Sequence, residues 1–207
     1  LDPCRPDDAA ALIYTSGTTG MPKGVMLSHE NFCALIASVS GVFSLEETDR
    51  LLSVLPLHHA FEFACGLLLP LSKGARIIYL DVIDGDRLAH GLEHGRVTCM
   101  VGVPALWQLI DRRIRAQVDA KGQLFSLAFD KGLDFNRTVG KATGLDFGKL
   151  LFGSVHSRFG GNIRLLISGG AALPPETGKL FSGLGLHLSE GYGLTEASPV
   201  LTVSEAR

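Results

Sequence analysis

Short runs of apolar and β-branched residues alternate along this chain with longer stretches whose apolar positions recur at helical spacing. Ala10–Thr15, Leu51–Leu55, Ala75–Leu80, Thr98–Val101 and Ile163–Ser168 read as strands, several of them apolar at consecutive positions. Strands apolar on both faces belong in a parallel sheet covered by helices on either side. Ser28 is placed to cap a helix reaching about Val42. Ala60–Ser72 reads as a second helix, stopped at Lys73-Gly74 with glycine in its usual place past a helix end. Asp86–His94 is a third, ending at Gly95. Pro104 opens a long fourth, with Leu106, Leu109, Ile110 and Ile114 on one stripe. This alternation predicts an α/β fold: an open, mostly parallel sheet, helices on both faces, and ligands at the carboxyl ends of the strands.

Residues 121–161 break the alternation. They carry Phe125, Phe129, Phe135, Phe147, Phe152 and Phe159 among basic residues and glycines. The segment is too long for a simple connection and is expected to form helices of its own. It reads equally as a packing elaboration and as part of a substrate site.

Composition narrows the function classes. A 207-residue chain with 46% apolar and 19% charged residues is an ordinary globular protein able to bury a large core. A net charge of −2 gives no electrostatic ground for a nucleic-acid partner or an anionic membrane surface. Cys4, Cys33, Cys65 and Cys99 are widely spaced singletons, read as free thiols in a reducing compartment. The longest apolar stretch, Phe63–Leu71, is interrupted by Gly66 and Pro70 and is too short to span a bilayer. The chain opens Leu1-Asp2-Pro3-Cys4-Arg5, without methionine or a signal-like segment, and is expected to be cut from something larger.

The densest chemistry lies between the apolar runs Ala10–Tyr14 and Val25–Leu27. Thr15-Ser16-Gly17-Thr18-Thr19-Gly20-Met21-Pro22-Lys23-Gly24 gathers hydroxyls, glycines and one lysine. Glycines let backbone N–H groups converge on an anion, hydroxyls donate to phosphate oxygens, and the lysine adds a point charge. The segment reads as a polyphosphate cradle, with a flexible loop as the plainer reading. It lacks the four-residue glycine spacing and the hydroxyl after lysine of the usual P-loop, which disfavours a phosphotransferase. His90-Gly91-Leu92-Glu93-His94 fits an inverted zinc-protease pattern, but glycine interrupts its helix and no third ligand is marked. Arg112, Arg113 and Arg115 read as a solvated helix face.

The string from Tyr14 to Val25 resembles the first signature of the adenylate-forming superfamily: acyl-CoA synthetases, peptide-synthetase adenylation domains and luciferases. Three further strings agree in order and spacing. Leu55-Pro56-Leu57-His58-His59-Ala60-Phe61-Glu62 is similar to the family's acyl-pocket segment, Ser168-Gly169-Gly170-Ala171-Ala172-Leu173 to its adenine-side loop, and Glu190-Gly191-Tyr192-Gly193-Leu194-Thr195-Glu196 to its second nucleotide motif. The likeness runs from about Asp8 to about Val200. The helical insertion at 121–161 resembles the long-chain acyl-CoA synthetase branch.

The resemblance implies that a carboxylate attacks the α-phosphate of ATP to give acyl-adenylate, and coenzyme A then displaces AMP. Thr15, Ser16, Gly17, Thr18, Thr19, Gly20 and Lys23 would hold the β- and γ-phosphates. Tyr192, between Gly191 and Gly193, would stack on adenine, with Gly170, Ala171 and Ala172 lining its other side and Glu190 in the same motif. Thr195 would donate to the α-phosphate. Glu196, with Thr18, would hold Mg²⁺, which needs few protein carboxylates beside phosphates. His59 would stand beside the substrate carboxylate, with Phe63, four residues on, sharing its helical face. A core tyrosine, a surface carboxylate and a packing histidine are the ordinary alternatives for Tyr192, Glu196 and His59.

The family's ribose-binding aspartate, hinge and small C-terminal domain with its adenylation lysine are not in this sequence. The chain is therefore expected to be the nucleotide-binding middle, 1–207, of a fatty acid–CoA ligase and nearly inactive alone. For the parent, the expectation is a cytoplasmic enzyme; peripheral attachment at the inner membrane face and a homodimer both remain open. The rival readings are a peptide-synthetase or aryl-CoA adenylation domain, where Glu62 is the one acid near the acyl segment, and a nucleotide-binding module without ligase chemistry.

Overall fold

The computed structural model describes residues 3–16, 21–82 and 84–204. Strands β1 (Ala9–Thr15) and β2 (Lys23–Ser28) form an antiparallel hairpin of their own, with Ala11 opposite Leu27 and Ile13 opposite Val25. This corrects the expectation that Ala10–Thr15 joins the parallel sheet. The link at 16–22 is too short for the crossover of a dozen or more residues that a parallel neighbour requires. The chain can only turn back on itself.

Ser28 ends the hairpin and caps helix α1 (His29–Val42). Its hydroxyl accepts from the Asn31 N–H, and the Asn31 side chain accepts from the Ser28 N–H. Strand β3 (Arg50–Ser53) leads to a π-helical turn, Glu62–Leu68, continued by α2 (Leu69–Ser72). The stretch expected as one α-helix is thus helical but widened at its centre. Strand β4 (Arg76–Tyr79), α3 (Gly85–Gly95), β5 (Cys99–Gly102) and α4 (Pro104–Asp119) follow the predicted alternation. The left-handed residue ending α3 is Arg96, at φ 50°, one position past the predicted Gly95. On α4 the predicted stripe needs adjustment: Ile110 is buried but Leu109 is exposed, and Trp107, fully buried, meets Phe181 edge-on at 5.7 Å.

Segment 121–161 holds α5 (Gln123–Thr143), α6 (Gly148–Leu151) and α7 (Gly153–Arg158). Phe129, Phe152 and Phe159 are buried, whereas Phe125 and Phe135 face outward. Polar contacts fasten these helices to the next one. Asn136 donates to Asp146 (2.9 Å) and the Gly183 carbonyl (3.1 Å), and His156 Nε2 lies 2.7 Å from the Leu184 carbonyl. Strand β6 (Leu165–Ser168), α8 (Pro175–Gly183), β7 (Leu188–Tyr192) and β8 (Thr202–Val203) complete the chain. The last three carry too few apolar residues for periodicity to mark them.

The main sheet runs β4-β3-β5-β6-β7-β8, parallel throughout except for the antiparallel β7–β8 pair. Side chains alternate between its faces. Leu52, Met100 and Leu166 enter one core with α3, α4, α5 and α8, while Leu51, Cys99, Val101, Leu165 and Ile167 enter the other with the hairpin, α1 and the π-helical turn. The predicted α/β sandwich is observed.

One carboxylate clasps the amino ends of β3, β5 and β6. Buried Asp49 accepts from Arg164 Nε (2.8 Å), the Thr98 hydroxyl (2.7 Å) and the Glu46 N–H (2.8 Å), and Arg164 also donates to the Ser44 carbonyl (2.6 Å). Burial alone would raise the Asp49 pKa, but the Arg164, Glu46 and Thr98 hydrogen bonds outweigh it and bring it to about 2. Among the described residues no helix is long and apolar enough to cross a membrane.

Candidate nucleotide and acyl site

The carboxyl ends of β3, β5, β6 and β7 share one edge because the four strands are parallel neighbours. Three of the predicted segments leave the sheet there. The loop after β6 is fixed by the Gly169 N–H donating to the Gly102 carbonyl of β5 (3.0 Å), and the Phe61 ring, from the segment after β3, lies against Gly169. Gly170 then turns at φ +83°, a conformation side-chain-bearing residues rarely take, leaving Gly170, Ala171 and Ala172 exposed. Glu190 of β7 reaches across and accepts from the Leu173 N–H at 3.0 Å. That bond locks the Gly170 loop to β7, so Glu190 holds backbone here.

Tyr192 ends β7 and is 62% exposed, its ring free for a partner. The Tyr192 carbonyl accepts from the Leu201 N–H at 2.9 Å, holding the returning chain. Gly193, next in the chain, has a steric cause. A Cβ at that position would collide with the Pro199 carbonyl, so close approach of the chain's own backbone demands glycine. Thr195 and Glu196 sit on a 3₁₀ turn, Thr195–Ala197, packed against β2. The fourth segment arrives through that contact. Thr15 and Lys23 are paired at the turn end of the hairpin, with Lys23 and Ser16 exposed. Gly17, Thr18, Thr19 and Gly20 lie outside the described residues.

His59 and Phe63, the residues expected beside an acyl substrate, differ in their surroundings. His59 is exposed, its ring 4.4 Å from that of His58, and its carbonyl accepts from the Phe63 N–H at 3.0 Å. The Phe63 ring instead packs edge-on against Phe32 of α1 at 5.4 Å, among the residues of the second core. The His59–Phe63 backbone bond has helical spacing, and helix begins at Ala60, directly after His59; the two rings differ in exposure, His59 open to solvent and Phe63 packed into the core.

Sequence reasoning gave Glu62 only a minor part. Its carboxyl is fully buried, accepts from the Ser53 hydroxyl and the Leu55 N–H, and leaves Oε2 unpartnered among the described residues. Burial raises its pKa to about 7 against those two hydrogen bonds. An acid inside the apolar run Phe61–Leu69 was the available signal. The π-helical widening falls where this carboxyl turns back over Gly66.

Among the described residues no group of three or more His, Cys, Asp or Glu is arranged around a metal. Magnesium, however, takes one or two carboxylates beside phosphates and water, and exposed Glu196 at this edge suits that donor set. His90 and His94 stack at 4.1 Å, and His94 Nδ1 lies 3.2 Å from the His90 carbonyl. Arg113 and Arg115 are not merely solvated: they pair with Asp86 (3.7 Å) and with Asp111 and Asp130 (2.9 and 3.6 Å).

A family model described as AMP-binding enzyme matches residues 1–207. The chain belongs to that family. Among its AMP-binding relatives, "Long-chain-fatty-acid--CoA ligase 1" of Schizosaccharomyces pombe is 36% identical over 98% of this chain and 31% of its own length. The ATP-bound crystal structure of MatB from Rhodopseudomonas palustris is 25% identical, with a TM-score of 0.68 over 98% of this chain and 32% of its own. The inhibitor-bound N-terminal domain of FACL13 from Mycobacterium tuberculosis, 24% identical, shares the fold at a TM-score of 0.69 over 100% of this chain and 42% of its own. The chain thus spans about a third to two-fifths of the length of these relatives.

Proposed function

We propose that the complete protein is a long-chain fatty acid–CoA ligase that activates its substrate with ATP. A fatty acid carboxylate oxygen bonds to the α-phosphorus as the bond to pyrophosphate breaks, giving acyl-adenylate. The coenzyme A thiolate then attacks the acyl carbonyl, and AMP leaves. The observation that carries this reading is the convergence, at one sheet edge, of the Thr15–Lys23 hairpin end, the Gly170 loop locked by Glu190, and Tyr192 with the Thr195–Glu196 turn.

In this reading Thr15, Ser16 and Lys23, with Gly17 to Gly20, hold the β- and γ-phosphates. Tyr192 stacks on adenine opposite Gly170, Ala171 and Ala172, and Thr195 donates to the α-phosphate. Glu196, with Thr18, would hold Mg²⁺, which supplies charge neutralisation at the phosphates when bound. His59 orients the substrate carboxylate, and residues 121–161 form an insertion within the 1–207 unit. Preorganised donors suit a reaction whose transition state carries charge on phosphate oxygens. The fatty acid assignment draws on the S. pombe relative, and ATP use on the family and on MatB. Free thiols at Cys4 and Cys33 fit a cytoplasmic protein.

Pyrophosphate exchange into ATP by the complete protein tests the proposal. Exchange should depend on a long-chain fatty acid and be absent with amino acids. Exchange driven by amino acids alone would replace it with the peptide-synthetase reading.

A further inference from the structure

A cavity of about 790 Å³ lies between α3, α4, α5 and α7, on the sheet face opposite α1 and the π-helical turn. None of the candidate-site residues lines it. Its volume falls in the range of sites that enclose a small organic ligand, roughly 300–1,000 Å³. Leu88, Ile110, Phe129 and Phe159, all buried, form apolar walls. The charged lining residues are exposed and so mark the opening: Arg113, Lys121, Arg158 and Asp86. Asp86 is already paired with Arg113 at 3.7 Å. Among the described residues Arg158 and Lys121 make no ion pair, and Lys121 lies 4.6 Å from the centre of the Phe125 ring beside the opening. Apolar walls under an excess of positive charge fit one chemistry: a long acyl chain with an anionic head.

We infer that this cavity is a second acyl site, binding a long-chain acyl anion at a place separate from the nucleotide edge. The chain lies among Phe125 and Phe129 of α5 and Phe152 and Phe159, which flank α7, and the head meets Arg158 and Lys121. A free carboxylate and the phosphates of an acyl-CoA offer the same charge, so the head is chosen by competition. The inference rests on the cavity and stands apart from the ligase reading.

The test is titration of the complete protein with the fluorescent fatty acid cis-parinaric acid. Wild-type protein should take up one molecule more per chain than the variant Ala128→Trp, which fills the cavity from α5. The double variant Arg158→Glu with Lys121→Glu, confined to exposed positions, should weaken that extra site tenfold or more. Displacement from it by palmitate, or by palmitoyl-CoA, identifies the head. Equal stoichiometry in wild type and Ala128→Trp, or unchanged affinity in the charge-reversed protein, overturns the inference. So does failure of both competitors. Pyrophosphate exchange in the same samples reports on the ligase reading separately: exchange without a second site removes only the cavity, and a second site without exchange removes only the ligase.

Discussion

Glu62 is the residue whose environment departs furthest from its chemistry. A carboxyl enclosed by apolar groups prefers to stay neutral, and its pKa near 7 states that preference. The sign of the effect on stability follows. Between about pH 4.5 and 7 the folded protein holds a proton that the unfolded chain releases, so stability is greatest below that window and falls as pH rises through it. A shift of this size corresponds to about 3 kcal/mol at most. Glu62→Gln keeps shape and the Ser53 hydrogen bond without the charge. Its melting temperature relative to wild type should therefore climb between pH 5 and pH 8 and level off above. A difference that stays flat across that range would mean that Glu62 is solvated as an ordinary carboxylate. The sequence showed an acid in an apolar run but not that the run folds over it, because burial is a property of the neighbours. Gly193 carries the same lesson: its glycine was legible, but the backbone that requires it, Pro199, was not.

At the scale of elements, what periodicity marks was found and what geometry decides was missed. β3, β5 and β6 were legible because consecutive apolar residues have few alternatives to a sheet covered on both faces. The direction of β1 was not written in its own residues. It was set by the short link to β2, and a strand's composition says nothing about its partner. The clasp at the amino ends of β3, β5 and β6 was likewise hidden, since Asp49 and Arg164 are distant in sequence and ordinary in type. It makes a prediction of opposite sign to that of Glu62. The Asp49 pKa is lowered from 3.8 to about 2, so its contribution is present at neutral pH and is lost as pH falls through that interval. Asp49→Asn should cost about 2 kcal/mol at pH 7, the scale of hydrogen bonds to a charged group. Denaturant unfolding at pH 7 should show that loss, and the gap to wild type should narrow towards pH 2. Equal stability at pH 7 would show that the three strands are held by their apolar faces alone.

For the whole molecule, the four strings singled out in the sequence are segments that the fold brings to one sheet edge. The hairpin holds the remaining consequence. Its inner face, Ala11, Ile13, Val25 and Leu27, packs into the second core. Its outer face is apolar too: Leu12, Tyr14 and Met26 are 56%, 68% and 74% exposed, with Leu12 directly opposite Met26. A two-stranded ribbon apolar on both sides is not built to face water, and contiguous apolar surface of this kind acts as a docking surface. In a solution of the 207-residue chain alone, the partner available to that face is another copy. Sedimentation velocity should therefore show concentration-dependent self-association of the chain. Replacing Leu12 and Met26 together by lysine puts two like charges on opposing positions of the outer face and leaves the inner face untouched. The substituted chain should sediment as a monomer at concentrations where the unsubstituted chain does not. If both remain monomeric, water covers this face without penalty; if both associate equally, the contact lies elsewhere on the molecule.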